Sequence, residues 1–341
     1  MLFFVNDYCE GAHENILKRM TLDNYFKNPG YGSDPVCESA RQKIRNACKK
    51  NDADVFFISG GTQTNQLIID TCLNPYEGVV AVETGHIALH EAGAVESTGH
   101  KVLTLPAHEG KMDARELRNY VKSFYEDENH EHMVFPGMVY ISQPTEYGSL
   151  YGKAELKALR SVCDEFKMKL FVDGARLAYA LGARGNDVTL PILAQMADVF
   201  YIGGTKCGAL FGEAVVFAQM KAPPHFLTQI KQHGALLAKG WLLGMQFDEL
   251  FENDLYTTLG TRADAMADRL RYRLIDRGYK LLIETPTNQV LVVLDNRVMK
   301  ALAKRVRFSF WEVIDKTHTA VRFCTSWATK EEDLKELMNI L

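Results

Sequence analysis

The sequence predicts an α/β fold, with a mostly parallel sheet in a large domain and a small α+β domain at the C-terminus. Two observations lead to this prediction. Short apolar runs alternate with amphipathic helical stretches over residues 54–217, and the pattern changes after about residue 220. Such alternation is typical of a parallel sheet covered by helices on both faces. The chain has 341 residues, of which 47% are hydrophobic, so it can bury a sizeable core in more than one domain.

Seven apolar runs are the strand candidates of the large domain. They are residues 54–59, 79–82, 101–105, 138–142, 169–173, 199–203 and 214–217. Helices are expected between them. The helix of residues 62–73 opens on a threonine, and the helix of residues 153–166 carries its apolar side chains on one side.

The C-terminal part has a different pattern. After Pro223 and Pro224, a helical region covers residues 261–277, and a final helix is expected at about residues 329–340. The strands expected between these helices lie near residues 280–283, 290–294 and 320–324. We place the domain boundary near residue 245. The large domain is then residues 1–245, including the N-terminal segment, and the small domain is residues 246–341.

Charge and cysteine content narrow the class of protein. The net charge is −4 with both signs interspersed, and no basic stripe or polybasic tract indicates a nucleic acid or membrane partner. The seven cysteines are scattered without a CxxC pair, which favours free thiols in a reducing compartment. The apolar start of the chain is too short for a signal peptide, and no run is long enough to span a membrane. We expect a soluble cytoplasmic protein.

The first functional motif follows the strand of residues 54–59. Functional groups of open α/β sheets cluster at the carboxyl ends of the strands. There Gly60, Gly61 and Thr62 open a helix, where free backbone N–H groups and the helix dipole favour an anion such as phosphate. The segment matches neither a nucleotide P-loop nor GxGxxG. The alternative is a tight turn with Thr62 as the N-cap residue.

The second motif is Asp173, which ends a strongly apolar strand and is followed by Arg176. A buried carboxylate is costly unless it is paired with a cation. A protonated pyridine nitrogen of a bound cofactor is one such cation. The alternative is an aspartate that caps the next helix and forms an ion pair with Arg176.

The third motif is Lys206, the only charged residue between positions 199 and 212. Burial would lower the pKa of this amine and favour its neutral, nucleophilic form. The small residues on both sides leave room for a planar ring. The alternative is a turn lysine that points to water between two strands.

Two histidines, His86 and His90, follow the strand of residues 79–82. Their i,i+4 spacing could bind a metal, but no third ligand is near and we predict no metal site. We expect the His86 imidazole to stack on a flat cofactor, whereas a histidine hydrogen-bonded at a helix start is the alternative. For His90 we favour that structural role.

A late arginine, Arg322, lies between apolar residues in a β-rich run of the small domain. Arginine binds carboxylates in a bidentate manner, so Arg322 could face a cleft between the domains and bind a substrate carboxylate. A solvent-facing strand arginine is the alternative.

The order of these motifs resembles the aspartate-aminotransferase-like (fold type I) enzymes that depend on pyridoxal 5′-phosphate (PLP). More narrowly, it is similar to the low-specificity L-threonine aldolase and β-eliminating lyase branch. The resemblance is carried by residues 173–176 (Asp-Gly-Ala-Arg) and by Lys206, 33 residues after the aspartate. Residues 6–7 and 31–35 also look like the N-terminal segment of that family.

The resemblance implies a role for each matching position. Lys206 would hold PLP as a Schiff base, and Asp173 would pair with its pyridine nitrogen. The phosphate would be held by Gly60, Gly61 and Thr62, with Thr205 assisting, and His86 would stack on the ring. A small amino acid would be the substrate. Its carboxylate would be bound by Arg176 and Arg322, and Asn6 would be a further substrate-binding residue. Family members are homo-oligomers, dimers or more usually tetramers built from dimers.

The chain also departs from the family pattern. Residues 60–62 are Gly-Gly-Thr where Ser-Gly-Thr is usual, and residues 6–8 are Asn-Asp-Tyr where Ser-Asp-Thr is usual. Residues 143–148 place Glu146 where typical aldolases have a histidine that handles the substrate hydroxyl. Glu146 is therefore our candidate for the base or the water-positioning group.

Three functions remain open from the sequence. The resemblance implies a lyase that cleaves a β-hydroxy-α-amino acid to glycine and an aldehyde. PLP-dependent β-elimination or transamination would need the same lysine, aspartate and arginines. A non-enzymatic α/β binding protein, in which the motifs are only turns and caps, is the third possibility.

Overall fold

The structure is a computed structural model that describes residues 1–341. Its β-strands are β1 (Leu2–Phe3), β2 (Asp54–Ile58), β3 (Glu77–Val82), β4 (Val102–Leu105), β5 (Phe135–Ser142), β6 (Lys169–Asp173), β7 (Val199–Gly203), β8 (Glu213–Phe217), β9 (Lys280–Leu281), β10 (Gln289–Asp295), β11 (Val306–Arg307), β12 (Ser309–Val313) and β13 (His318–Cys324). Its α-helices are α1 (Glu14–Asp23), α2 (Pro35–Cys48), α3 (Gly61–Cys72), α4 (His86–Leu89), α5 (Ala114–Glu126), α6 (Lys153–Phe166), α7 (Leu177–Gly182), α8 (Leu190–Met196), α9 (Phe226–Gln232), α10 (Trp241–Leu250), α11 (Leu255–Asp276), α12 (Asn296–Leu302) and α13 (Glu331–Ile340).

A seven-stranded sheet forms the centre of the molecule. Its strand order is β2-β8-β7-β6-β5-β3-β4, and only β8 runs antiparallel to its two neighbours. All seven apolar runs predicted from the sequence are strands of this sheet, so the predicted mostly parallel sheet is confirmed. The direction of β8 was not predicted. It follows from the short connection of residues 204–212, because parallel neighbours need a longer crossover.

Apolar side chains cover both faces of this sheet, as the alternation along β5 shows. Val139 and Ile141 belong to one buried cluster, whereas Met138 and Tyr140 belong to another. Successive residues of a strand point to opposite faces, so a strand that is apolar on both faces must lie between two layers. The helices of the large domain supply those layers.

The C-terminal part contains a second, antiparallel sheet with the order β12-β13-β10-β9. Its core also contains Leu2 and Phe4, and β1 pairs in parallel with β11. The start of the chain, which is predicted to belong to the large domain, therefore contacts the C-terminal part. Helix α11 packs into both regions, with Leu259 in the core of the large sheet and Leu270 in the core of the small one. The domain boundary near residue 245 stays a prediction.

None of the helices combines the length and the apolar character that crossing a membrane requires.

Candidate active site

A cavity of about 210 Å³ lies at the carboxyl ends of the central parallel strands. We call it the inner cavity. Its lining includes all eight residues that the sequence predicts to bind the cofactor: Gly60, Gly61, Thr62, His86, Asp173, Arg176, Thr205 and Lys206. These residues come from separate segments of the chain, and the parallel strands bring them to one edge of the sheet.

The glycine-rich turn before α3 presents unused backbone donors. Gly60 is the N-cap residue and no side chain caps the helix, so the alternative role of Thr62 as the N-cap is wrong. The N–H groups of Gly61, Thr62 and Gln63 donate no hydrogen bond within the protein. A Cβ on Gly61 would lie 3.3 Å from the Tyr201 hydroxyl, so a side chain at this position would make a tight contact. Such a helix start binds anions.

Asp173 is held by several donors at the end of β6. Its Oδ2 accepts hydrogen bonds from the Tyr140 hydroxyl (2.6 Å) and from Asn65 Nδ2 (3.0 Å), and its Oδ1 accepts from the Ala175 N–H (2.9 Å). Burial opposes ionisation, but the charge of His86 and the hydroxyl donors lower the pKa of Asp173 below its usual value. Asp173 is therefore a buried carboxylate that stays ionised.

The His86 imidazole contacts a second buried carboxylate. Its Nδ1 lies 2.7 Å from Glu91 Oε1, and the Glu91 side chain is fully buried. Asn65 Nδ2 donates to the same Glu91 oxygen (2.7 Å) and also to Asp173. One amide thus joins the two carboxylates and fixes the imidazole beside the inner cavity. Neither Asn65 nor Glu91 was found from the sequence, because both look like ordinary helix or loop residues.

Lys206 lies in the connection between β7 and β8 and lines the inner cavity. Its backbone carbonyl accepts a hydrogen bond from the Tyr179 hydroxyl (2.6 Å), while its Nζ makes no hydrogen bond or ion pair within the protein. Burial, followed by the charge of Arg176, lowers the pKa of the Lys206 amine. The side chain is part of the cavity wall, so the alternative of a water-facing turn lysine is not supported.

Thr205 and Glu213 form a pair beside Lys206. The Thr205 hydroxyl donates to Glu213 Oε1 (2.8 Å), and the Gly204 N–H donates to Glu213 Oε2 (3.1 Å). Burial raises the pKa of Glu213 to about 8. A carboxyl with this pKa is largely protonated at neutral pH, so it adds little negative charge beside an anion site.

Arg176 is bound by an aspartate from the N-terminal segment. Its Nε and one terminal nitrogen donate to the two Asp7 oxygens at 2.7 and 3.0 Å, and Asn288 Nδ2 donates to Asp7 at 2.9 Å. Burial alone would raise the pKa of Asp7, but Arg176 holds it at about 2. The alternative in which Arg176 pairs with Asp173 is therefore wrong.

Arg322 lines a second, outer cavity of about 650 Å³. Its guanidinium donates to Gln289 Oε1 (2.8 Å) and lies over the Trp311 ring, 5.4 Å from the ring centroid. Arg176 and Lys206 line this cavity as well as the inner one. The two arginines therefore share one continuous cleft with the lysine.

Glu146 also lines both cavities. Its Oε1 accepts hydrogen bonds from the Ser142 hydroxyl (2.6 Å) and the His86 N–H (3.0 Å), whereas its Oε2 has no partner in the protein. Burial raises the pKa of Glu146, although the Ser142 hydroxyl opposes the shift. A carboxylate with a raised pKa and one free oxygen is suited to accept a proton.

Asn6, a predicted substrate-binding residue, lies apart from the other predicted site residues. Asn6 lines neither cavity, and its Oδ1 instead accepts a hydrogen bond from the Tyr8 N–H (3.0 Å) in a local turn. The structure thus does not bring Asn6 to the other site residues.

His90 lines the outer cavity with its ring centroid 5.6 Å from that of His86. Burial, followed by the charge of His86, lowers the pKa of His90.

The residues of the inner cavity fit PLP. An ionised, buried Asp173 suits a protonated ring nitrogen, and the free N–H groups before α3 suit a phosphate. Lys206 supplies an unpaired amine with a lowered pKa, which suits an aldehyde. The ring nitrogen, the phosphate and the aldehyde of the cofactor thus each have a matching group on the wall of one cavity.

Comparisons with known proteins indicate the family of this chain. Residues 10–303 match the beta-eliminating lyase family. The chain is 29% identical to the low specificity L-threonine aldolase of a Pseudomonas species, over 98% of this chain and 95% of that protein. The solved structure of Leishmania major threonine aldolase is 41% identical and superimposes with a TM-score of 0.96, covering 100% of this chain and 98% of that one.

A more distant neighbour supports the fold alone. The histidinol-phosphate aminotransferase of Clostridium acetobutylicum is 14% identical, with a TM-score of 0.74 over 100% of this chain and 98% of that one. The predicted aspartate-aminotransferase-like fold is therefore confirmed. The chain belongs to the beta-eliminating lyase family, and this membership confirms the prediction of a PLP-dependent enzyme.

Proposed function

We propose that this protein is a PLP-dependent lyase that cleaves a β-hydroxy-α-amino acid, of which threonine is the simplest test case, into glycine and an aldehyde. The observation that carries the proposal is the continuous cleft in which Lys206, two arginines and the free oxygen of Glu146 meet. The relatives named threonine aldolase support this reaction over other chemistry at the same kind of site.

Bound PLP, held by Lys206 as a Schiff base, would supply an electron-withdrawing ring that makes a bond to Cα of an amino acid easier to break. The protein's own part begins with Asp173, which stays ionised and so keeps a ring nitrogen protonated. The lowered pKa of Lys206 keeps more of its amine neutral, which is the form that reacts with a carbonyl carbon.

Arg176 and Arg322 would bind the substrate carboxylate. Asp7 holds the Arg176 guanidinium through two nitrogens and leaves the third free, and Gln289 orients Arg322. Arginine pairs with carboxylates through planar, charge-assisted hydrogen bonds. Two fixed guanidinium groups would set the orientation of the substrate, and this determines which bond at Cα is broken.

Glu146 would take the proton of the β-hydroxyl group on its free oxygen, Oε2. As the hydroxyl loses its proton, its oxygen forms the aldehyde carbonyl and the Cα–Cβ bond breaks. The electron pair of that bond stays on Cα, which then takes up one proton to give glycine. The raised pKa of Glu146 brings the base closer to neutral pH, where proton transfer is most efficient. Ser142 and the His86 N–H both bind Oε1, so they fix the direction of Oε2.

Product analysis tests the reaction. Purified protein with PLP should absorb near roughly 410–430 nm, and it should release acetaldehyde and glycine from L-threonine or L-allo-threonine. Lys206→Ala should lose this absorbance and at least about 10³-fold in rate, whereas Lys157→Ala, at an exposed lysine of α6, should behave as the wild type. Pyruvate from a β-substituted amino acid, or dependence on a keto acid, would replace the proposal by elimination or transamination. A protein that stays colourless with added PLP would contradict the assignment of Lys206 as the residue that holds the cofactor.

The role of Glu146 has its own test. Glu146→Gln keeps the shape of the side chain but removes the proton acceptor, so kcat should fall by about 10²–10⁴. The acidic limb of the pH profile of kcat should disappear in the variant, because that limb reports protonation of the base. A variant that keeps both kcat and the acidic limb would assign the proton transfer to another group.

We also propose that the protein is a cytoplasmic homo-oligomer, either a dimer or a tetramer built from dimers. Helix α1 and the loop after it expose large apolar side chains, including Leu22, Tyr25 and Phe26. Such a patch on one surface marks a site of protein contact. All seven cysteines are free thiols, which is typical of a reducing compartment. Analytical ultracentrifugation of the wild type and of Phe26→Asp would test the assembly: a monomer for both would contradict it.

A further inference from the structure

The outer cavity is larger than threonine needs. Its volume of about 650 Å³ lies in the range of pockets that bury drug-sized ligands. It opens from the inner cavity, with which it shares His86, Glu146, Arg176 and Lys206. A substrate side chain that starts at Cβ, beside Glu146, can therefore extend into this space.

A β-bulge shapes the outer wall. The pairing of β12 with β13 shifts between Phe310 and Glu312, so Trp311 is the extra residue. In a regular strand, successive side chains would alternate between the two faces. Here Ser309, Phe310, Trp311 and Glu312 all line the cavity. A bulge redirects side chains in this way next to binding sites. It brings a ring and a carboxylate to the same side.

Glu312 is an uncompensated negative charge in this wall. Its carboxylate makes no hydrogen bond and no ion pair with any residue. The pKa of Tyr147 is raised mainly by burial and next by the negative charge of Glu312. The Glu312 and Tyr147 side chains are therefore close together. His90 also lines the cavity, but its lowered pKa favours the neutral imidazole at neutral pH. The arginine and lysine residues of the lining are Arg176 and Arg322, which are assigned to the substrate carboxylate, and Lys206, which is assigned to the cofactor.

Aromatic residues line the same cavity as this carboxylate. The rings of Tyr147 and Trp311 are nearly perpendicular, with centroids 5.2 Å apart. Tyr8 and Phe310 line the same cavity and expose 53% and 63% of their surface. Aromatic faces attract cations, and a carboxylate among them adds a direct charge interaction. A neutral substrate side chain would contact the rings but would leave Glu312 desolvated without a partner, which costs free energy.

We propose that the outer cavity selects β-hydroxy-α-amino acids whose side chain ends in a cationic amine, which Glu312 and the surrounding aromatic rings bind. This inference rests on the proposed lyase function. It assigns opposite ends of the cleft to opposite charges: the arginines bind the carboxylate of the amino acid, and the β12 wall binds the distal cation.

Three substrates of equal chain length, which differ in the charge at the end of the side chain, test whether the cavity selects for charge rather than for size. They are β-hydroxylysine, 2-amino-3-hydroxyheptanoate, in which a methyl group replaces the ammonium, and 2-amino-3-hydroxyheptanedioate, which ends in a carboxylate. Release of glycine, which all three reactions share, gives kcat/KM for each. We expect the cationic substrate to be preferred over the neutral one by on the order of tenfold, and the anionic one to be the poorest.

Glu312→Gln should bring the ratio of cationic to neutral kcat/KM close to one. Glu83→Gln is the matched control, because Glu83 is an exposed carboxylate that also acts on Tyr147 but does not line the cavity, and it should leave the ratio unchanged. The inference is overturned if the wild-type ratio of cationic to neutral kcat/KM is one or less, or if Glu312→Gln does not lower it. In either case, cleavage of threonine would still support the proposed lyase function. If no β-hydroxy amino acid, threonine included, releases glycine, the proposed function itself fails.

Discussion

The ion pair between Asp7 and Arg176 gives a prediction whose magnitude follows from the structure. Both Asp7 oxygens accept from the guanidinium, and the Asp7 side chain is fully buried. The pKa of Asp7 falls from 3.8 to about 2. At about 1.4 kcal/mol per pKa unit, the ionised form is favoured by roughly 2 kcal/mol in the folded protein.

Asp7→Asn removes this charge but keeps an oxygen that can accept one hydrogen bond from Arg176. We expect its free energy of unfolding to fall by about 2 kcal/mol. Asp7→Ala leaves the guanidinium with no partner from the N-terminal segment, so the loss should rise to about 3–5 kcal/mol. Because Arg176 would lose its fixed orientation, KM for the amino acid should rise in both variants, with a smaller change in kcat.

Denaturant unfolding of the PLP-free proteins measures the loss in free energy of unfolding. The folded pKa of Asp7 is depressed, so its contribution is complete above about pH 4 and is lost only as the pH falls towards 2. The difference between wild type and Asp7→Asn should therefore be constant from about pH 6 to 9. Glu165→Gln is the control, because the Arg118–Glu165 pair is also bidentate but exposed, and its loss should cost at most about 1 kcal/mol. If Asp7→Asn loses no more than Glu165→Gln, the reasoning from burial is refuted.

Two more predictions concern buried carboxyl groups. The pKa of Glu213 is raised from 4.5 to about 8, so its ionisation in the unfolded chain destabilises the folded state progressively between those pH values. Glu213→Gln should therefore stabilise the PLP-free protein by about 3 kcal/mol at pH 7, and a gain that does not grow from pH 5 to 8 would contradict this. Glu91→Gln keeps the shape beside His86 but removes the charge that fixes the imidazole, so PLP should bind about tenfold more weakly in an absorbance titration. The affinity of Glu165→Gln should not change, and an unchanged affinity in Glu91→Gln would mean that packing alone positions His86.

The parts of the site that were predictable have signals close to them in the sequence. Asp173 ends an apolar strand, and Lys206 is the only charge in an apolar stretch; in both cases the neighbouring residues reveal burial. The Gly-Gly-Thr turn before α3 is likewise read from a few residues. Local patterns of this kind predict where a buried charge lies, because the cost of burying it has to be met nearby or by a ligand.

The partners of these residues were not predictable, because they come from distant parts of the chain. Asn288, which donates to Asp7, lies 281 positions away from it, and Asn65 lies 108 positions before Asp173. The bulge at Trp311 also has no signal in the sequence, because an extra residue in one strand is defined only by its pairing with the next. Which residue neutralises or orients a buried charge depends on the topology of the sheet.

The N-terminal segment shows how this topology sets the geometry of the site. Within seven residues, β1 pairs with β11, the Val5 carbonyl accepts a hydrogen bond from Arg322, Asp7 binds Arg176 and Tyr8 lines the outer cavity. One short segment of the chain therefore contacts both arginines, although Arg176 lies at the start of α7 and Arg322 lies on β13 of the small sheet. Because the peptide backbone between Val5 and Asp7 has a fixed reach, it limits how far apart the two guanidinium groups can lie. A substrate carboxylate bound by both would thus meet a spacing that the start of the chain sets together with α7 and β13, where the two arginines lie.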